Sequence, residues 1–318
     1  MPDERKGKKV YKKLILGVVV ALLIAGLSFF AGSQWAQDRI VHKPDAYPLL
    51  AKRLFIEDPS DTIINFEPLR SKLRDELSYY SNNASLYFEY LPTGTSIRVG
   101  DSKQLVGASL LKLPYVMDLY HLAELKRLNL DDKITLKSEW LDDQYGELHK
   151  KGAGHSLTIR ELTRIAIQDS DNTAINGVKS LVADAKLDPK DSSFNALDVD
   201  FGTKQDKTVE LSSRAYSSFL KCLYFACYLS KGDSQEVLSY LSHTTVGDDR
   251  LPKYIPKSTT VAHKIGVLGE KIQGDCGIVY VEHRNYVLCV LLEEGQTKGS
   301  EVIAELSKHV YDYVTQAQ

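Results

Sequence analysis

The sequence predicts an α+β fold, with an antiparallel sheet built from both ends of the chain and a helical insertion between its early and late strands. Three observations predict it. Alternating apolar residues stand over Ser85–Leu91, and a short return segment follows at Thr95–Val99. Helical patterns dominate between Leu110 and Leu229. Residues rich in β-branched and aromatic side chains return at Thr260–Ile265, Gly277–Val281 and Tyr286–Leu292, ahead of a closing helix over Glu301–Val314.

The chain has 318 residues, 43% hydrophobic and 26% charged, enough for one large domain with an appendage or for two small domains. Its net charge of -2 carries no basic excess, so no nucleic-acid partner is expected. The positive charge is concentrated at the start. Arg5, Lys6, Lys8, Lys9, Lys12 and Lys13 oppose only Asp3 and Glu4. An uncharged run, Leu14–Gly32, follows at once. As a helix it would span roughly 28 Å, close to the hydrocarbon core of a bilayer. The expected organisation is a cytoplasmic tail over 1–13, a transmembrane anchor over 14–32, a stalk over 33–66 and a folded domain over 67–318. A signal peptide cleaved at Ala31-Gly32-Ser33 is the rival reading, and the apolar run is longer than such peptides use. Both place everything after Ser33 outside the cytoplasmic membrane, because the lysines stay inside.

The elements follow in order. The stalk mixes charges with Pro44, Pro48 and Pro59. A helix starts near Pro68, with Leu69, Leu73 and Leu77 on one face. In the first strand Leu86, Phe88 and Tyr90 face one way and Tyr87 and Glu89 the other. Pro92-Thr93-Gly94 turns the chain into the second strand. Leu110–Leu125 reads as a long apolar helix, and 126–156 as irregular and polar. Thr158-Ile159-Arg160-Glu161 is a capping-box pattern opening a helix that runs to Gln168. A further helix spans Asn172–Val182, 184–208 reads as loop, and another helix runs from Ser212 to Leu229. Glu282-His283-Arg284-Asn285 is a hairpin turn between the last two strands. The four cysteines, Cys222, Cys227, Cys276 and Cys289, form no CxxC pair. Cys276 and Cys289 flank the hairpin and either approach each other or remain small buried thiols. No HExxH, GxGxxG or GxxxxGK pattern occurs, and no metal or cofactor is expected.

Three motifs carry chemistry. In Ser109-Leu110-Leu111-Lys112 the serine and lysine lie three apart at a helix start, so the amine reaches the hydroxyl and free backbone N–H groups favour negative charge. The motif alone is weak, since Ser218-Phe219-Leu220-Lys221 repeats it within an ordinary helix. Ser170-Asp171-Asn172 also reads as a helix cap. Lys264-Ile265-Gly266, after His263, also reads as a strand with one exposed lysine and a glycine bulge. Their order and spacing change the picture. Together with Tyr87–Gly94, Ala108–Pro114, Leu157–Leu162 and Asp275–Val279, they make residues 67–316 resemble the class A β-lactamase-like family of penicillin-recognising serine hydrolases.

The resemblance implies a β-lactamase/transpeptidase-like antiparallel sheet with a helical subdomain, and it implies roles. Ser109 would attack a carbonyl, Lys112 take its proton, Ser170 relay a proton to the leaving nitrogen and Lys264 supply positive charge. Asn172 would hold a substrate amide. Gly266 belongs to the third motif, and the backbone N–H groups of Ser109 and Val267 would form the oxyanion hole. Two departures stand out. No glutamate occurs between Leu162 and Val209, where the family carries its deacylating acid; Asp198, Asp200 and Asp206 lie in that region. Ile265 replaces the family's hydroxyl residue, and Arg250 is either a compensating charge or a solvated surface arginine. The expected activity is acylation by β-lactams or related amides with slow hydrolysis. A peptidoglycan D,D-peptidase acting on stem peptides and a non-catalytic envelope protein are the alternatives.

Overall fold

The computed structural model describes residue 22 and residues 24–28, 47–51, 64–80, 83–100, 102–203 and 208–316. The chain divides into two units, Met1–Ala46 and Tyr47–Gln318. In the first, only residues within the expected anchor are described; they are helical and exposed. The rest of 14–32, all of 1–13 and most of the expected stalk lie outside the described residues. No helix among the described residues is long and apolar enough to cross a membrane.

The second unit opens with Tyr47–Ala51, which packs on it: Ala51 N donates to Tyr224 O and Tyr280 Oη to Leu49 O. Helix α1 (Glu67–Ser78) buries Leu69, Leu73 and Leu77, the expected stripe. Strands β1 (Ala84–Tyr90) and β2 (Thr95–Val99) form the expected hairpin. β3 (Leu105–Val106) leads into a tight 3-10 turn, Ala108–Leu111, and then helix α2 (Lys112–Glu124). The segment expected to be irregular holds β4 (Lys133–Thr135), which pairs with β5 (Ser156–Thr158). Helix α3 (Ile159–Gln168) has the predicted capping box, with Glu161 N donating to Thr158 Oγ1 at 3.0 Å and Thr158 N to Glu161 Oε2 at 2.8 Å. Helix α4 (Asn172–Asp184) follows.

The 184–208 segment is less open than its composition suggests. It holds a short helix, α5 (Ser193–Ala196), and β6 (Gly202–Thr203). β6 pairs with β7 (Val209–Leu211), which pairs with β3, so the segment is tied to the strand that delivers Ser109.

The helix expected over 212–229 is two helices, α6 (Ser213–Phe225) and α7 (Lys231–Ser242). Ala226 adopts a left-handed conformation with φ of 50°, which ends α6, and a disulfide joins Cys222 to Cys227 around it. Ser230 then caps α7 by accepting from Asp233 N.

Strands β8 (Thr260–Leu268), β9 (Ile272–Tyr280) and β10 (Tyr286–Leu292) complete a five-stranded antiparallel sheet ordered β2-β1-β10-β9-β8. β9 starts earlier than expected. Gln273, Gly274 and Asp275 disfavour strand, but pairing with β8 and β10 on both sides overrides that preference. Helix α8 (Gln296–Gln316) closes the chain.

Period-2 alternation sends the two sheet faces into two cores. Leu86, Phe88, Leu288 and Val290 join α1 and α8 residues on one side. Val287, Cys289, Leu291 and Cys276 join the helical insertion on the other. Cys276 faces Cys289 in register and is disulfide-bonded to it, which resolves the two readings of that pair.

Candidate active site

Ser109 sits in the 3-10 turn that joins β3 to α2. Ala108 before it has φ of 46°, a conformation costly for a residue with a side chain. That bend turns the chain from the small sheet into the helix and leaves Ser109 half-buried rather than enclosed. Three residues on, Lys112 is the first residue of α2 and is buried.

The Lys112 ammonium does not rest on Ser109. It donates to the Ser170 backbone carbonyl, to Ser170 Oγ at 3.3 Å and to Asn172 Oδ1 at 2.9 Å. From the opposite side Lys264 Nζ donates to Ser170 Oγ at 2.7 Å. The three motifs, far apart in sequence, therefore meet at one hydroxyl. Ser170 itself has φ of 52°, a second strained backbone position. Its neighbour Asp171 caps α4, accepting from Ala174 N at 2.8 Å, and also accepts from Leu148 N at 2.8 Å. The cap expected here and the catalytic arrangement are thus one structure.

Burial sets the protonation of both lysines. The Lys112 amine is pushed down to about 8, chiefly because its charge is desolvated, with Asp171 opposing that shift and Lys179 adding to it. Lys264 is almost wholly enclosed, and burial first, then the Lys112 charge, holds it well below the ordinary lysine range. The alternative reading of this strand, with one exposed lysine, fails because Lys264 is buried. Around neutral pH the pair offers a partly neutral amine next to a hydroxyl, which suits proton transfer.

Gly266 has a steric task. A Cβ there would lie 2.7 Å from Leu110 Cγ and 2.9 Å from Gly107 O, so only glycine lets β8 close on the Ser109 turn. Val267, next along, is half-buried at the same crossing, and β8 is an edge strand of the sheet. Ile265 is buried, with its Cγ2 packed beneath Gly247.

Arg250 is not a solvated surface residue. It is 3% exposed and donates to Asp249 Oδ1 at 2.6 Å and to Gln273 Oε1 at 2.8 Å, while its buried Nε has no protein partner. The structure brings Ser109, Lys112, Ser170, Asn172, Lys264 and Gly266 to one locus, and sets Arg250 under the β8–β9 end of the sheet.

The sequence reading missed Asp142 and Tyr145, which lie in the stretch taken as irregular. Asn172 Nδ2 donates to Asp142 Oδ1 at 3.1 Å, which fixes the amide so that its oxygen faces Lys112. The Tyr145 ring stands 5.9 Å from Lys112 Nζ, and its carbonyl accepts from Asn172 N. No local pattern announces either; only the fold brings them to Asn172. Of the acids that lie in the region of the family glutamate, Asp200 accepts from Gln104 Nε2 at 3.3 Å, Asp198 has φ of 50°, and Asp206 lies outside the described residues. The carboxylates that act on Lys112 are Asp171 and Asp142. The second Ser-x-x-Lys, at Ser218, has its lysine committed elsewhere, since Lys221 Nζ donates to Glu89 at 2.8 Å.

A helical subdomain beside this sheet, with a serine, two lysines and a second serine converging between them, defines the class of penicillin-recognising serine hydrolases. The chain belongs to the beta-lactamase enzyme family, whose model matches residues 68–314. It is 23% identical to beta-lactamase BRO-1 of Moraxella catarrhalis over 264 residues, covering 75% of this chain and 76% of that one. With beta-lactamase CTX-M-8 of Citrobacter amalonaticus it shares 24% over 230 residues, covering 66% and 74%. The structure of PBP-A superposes with a TM-score of 0.70 at 22% identity, covering 80% of this chain and all of that one (100%).

Proposed function

We propose that this chain is a membrane-anchored serine hydrolase of the class A type that forms an acyl-enzyme through Ser109 with β-lactams or related amides and releases it slowly. The observation that carries the reading is the convergence of Lys112 and Lys264 on Ser170 Oγ beside the Ser109 turn. Neutral Lys112 would take the Ser109 proton as the hydroxyl attacks the carbonyl. The proton would pass through Ser170 to the leaving nitrogen as the carbon–nitrogen bond breaks. Backbone N–H groups of Ser109 and Val267 would hold the oxyanion, each contributing on the order of 3–4 kcal/mol. One N–H of the Asn172 amide is given to Asp142, and the other, which has no partner among the described residues, would serve a substrate carbonyl.

Slow release is supported by the acids near Lys112. Both Asp171 oxygens accept backbone N–H groups, and Asp142 holds Asn172, so each already has a structural task. A mutant of the fold neighbour PBP-A was solved as an acyl-enzyme with penicillin G, which makes that ligand the natural probe. The full acylating set with no glutamate between Leu162 and Val209 also favours a second reading, a D,D-peptidase of stem peptides.

An extracytoplasmic position is supported by the basic start, the apolar run Leu14–Gly32 and two disulfides, which persist in oxidising compartments. Labelling with a fluorescent penicillin tests the nucleophile: wild type should label and Ser109→Ala should not. Equal labelling of the two would reject the assignment. D-alanine release from a stem peptide would separate the peptidase reading from the first.

A further inference from the structure

Beside the Ser170–Asp171 turn lies a cavity of about 560 Å³ whose walls include Tyr145, Leu148, Ile165 and Val246. Two cations, Arg164 and Lys151, also line it. Arg164 is half-buried, and its guanidinium donates to the neutral amide of Gln168 at 2.8 Å. Among the described residues neither cation forms an ion pair. The acids that share the cavity are already engaged. Glu147 is paired with Lys150, Asp169 accepts from Thr245 Oγ1 at 2.8 Å, and Asp171 accepts its two backbone N–H groups.

The place of this cavity gives it a meaning. If Ser170 protonates the leaving nitrogen, whatever hangs from that nitrogen lies on the Ser170–Asp171 side. Next to Lys264, Ile265 offers no hydrogen-bond donor to a carboxylate close to the scissile bond. Further out, Arg164 and Lys151 stand at a roomy pocket; Arg164 feels the charge of Glu161, but among the described residues neither cation has an acid within ion-pairing distance.

We propose that the cavity is a leaving-group subsite, and that the substrates are amides whose leaving amine carries its carboxylate on a long arm, read by Arg164 with Lys151, rather than a terminal D-alanine. The inference rests on the acylation chemistry proposed above. The step is balanced: the Ser109 Oγ–carbon bond forms and the carbon–nitrogen bond breaks. The Ser109 proton passes to Lys112, and Ser170 protonates the departing amine. Water later takes the acyl group. A guanidinium facing a carboxylate in a partly dry site gives a charge-assisted hydrogen bond, stronger than a neutral one.

The test uses the full chain and one N-acylated D-alanyl donor bearing four leaving amines: D-alanine, 6-aminohexanoate, hexylamine and 1,6-diaminohexane. The 6-aminohexanoate amide should have a kcat/KM at least about tenfold above the other three, equivalent to about 1.4 kcal/mol. In Arg164→Gln the ratio of the 6-aminohexanoate to the hexylamine substrate should fall close to one. Preference for D-alanine, equal rates for the carboxylate and neutral arms in the wild type, or a ratio that survives in Arg164→Gln would overturn the subsite. A wild type that is acylated by neither penicillin nor any amide would overturn the nucleophile assignment instead.

Discussion

Lys112 and Lys264 aim their amines at the same oxygen, so their charges cannot be independent. The Lys112 amine at about 8 would be roughly a tenth neutral at pH 7. Since the neutral amine is the base, acylation should rise about tenfold per pH unit below 8 and level off above it. The rate of penicillin labelling from about pH 6 to about pH 10 checks this, and a flat profile would remove Lys112 from the step. Ser109, Lys112, Ser170 and Lys264 were legible in the sequence because three weak motifs stand in a fixed order. The partners of Lys112 were not. A three-residue spacing places lysine near Ser109, but Ser170 and Asn172 capture its ammonium. Asp142 and the burial of Arg250 depend on chain segments that meet only in three dimensions.

Among the elements, the crossing of β8 over the Ser109 turn determines whether the site assembles. Gly266→Ala would set a methyl against Leu110 and Gly107 O and push the strand outward. A displacement near 1 Å costs about a hundredfold in rate. Acylation of Gly266→Ala should fall by about that much, alongside a stability loss of about 1–3 kcal/mol from overpacking, and wild-type acylation in this variant would refute the packing role. Helix α1 is a matter of stability instead. Leu73 is fully buried between the sheet and α8, so Leu73→Ala should cost about 2–5 kcal/mol in chemical denaturation. A loss below 1 kcal/mol would mean that the site collapses to fill the gap. Elements with a strong stripe or cap, such as α1 and α3, were readable. The split between α6 and α7 was not. Ala226 is a good helix former, and its left-handed turn is held by the Cys222–Cys227 pairing rather than announced by a breaker.

At the scale of the whole molecule, the sheet gathers strands from both ends of the chain and carries the helical insertion on one face. The Ser109 turn and β8 therefore meet across more than 150 residues of sequence. All four described cysteines are paired, so the unreduced protein should take up no alkylating reagent until it is denatured and reduced. Uptake by native, unreduced protein would contradict the pairing. The proposed anchor predicts that the full chain fractionates with membranes and needs detergent for release; a chain trimmed after Ser33 would establish the signal-peptide reading instead. The central claim is an intact acylating site with a weak means of release, and intact mass followed over time with penicillin tests it most directly. One adduct per molecule should accumulate on the wild type, persist, and be absent from Ser109→Ala. Rapid turnover without an accumulating adduct, or an adduct that survives in Ser109→Ala, would contradict it.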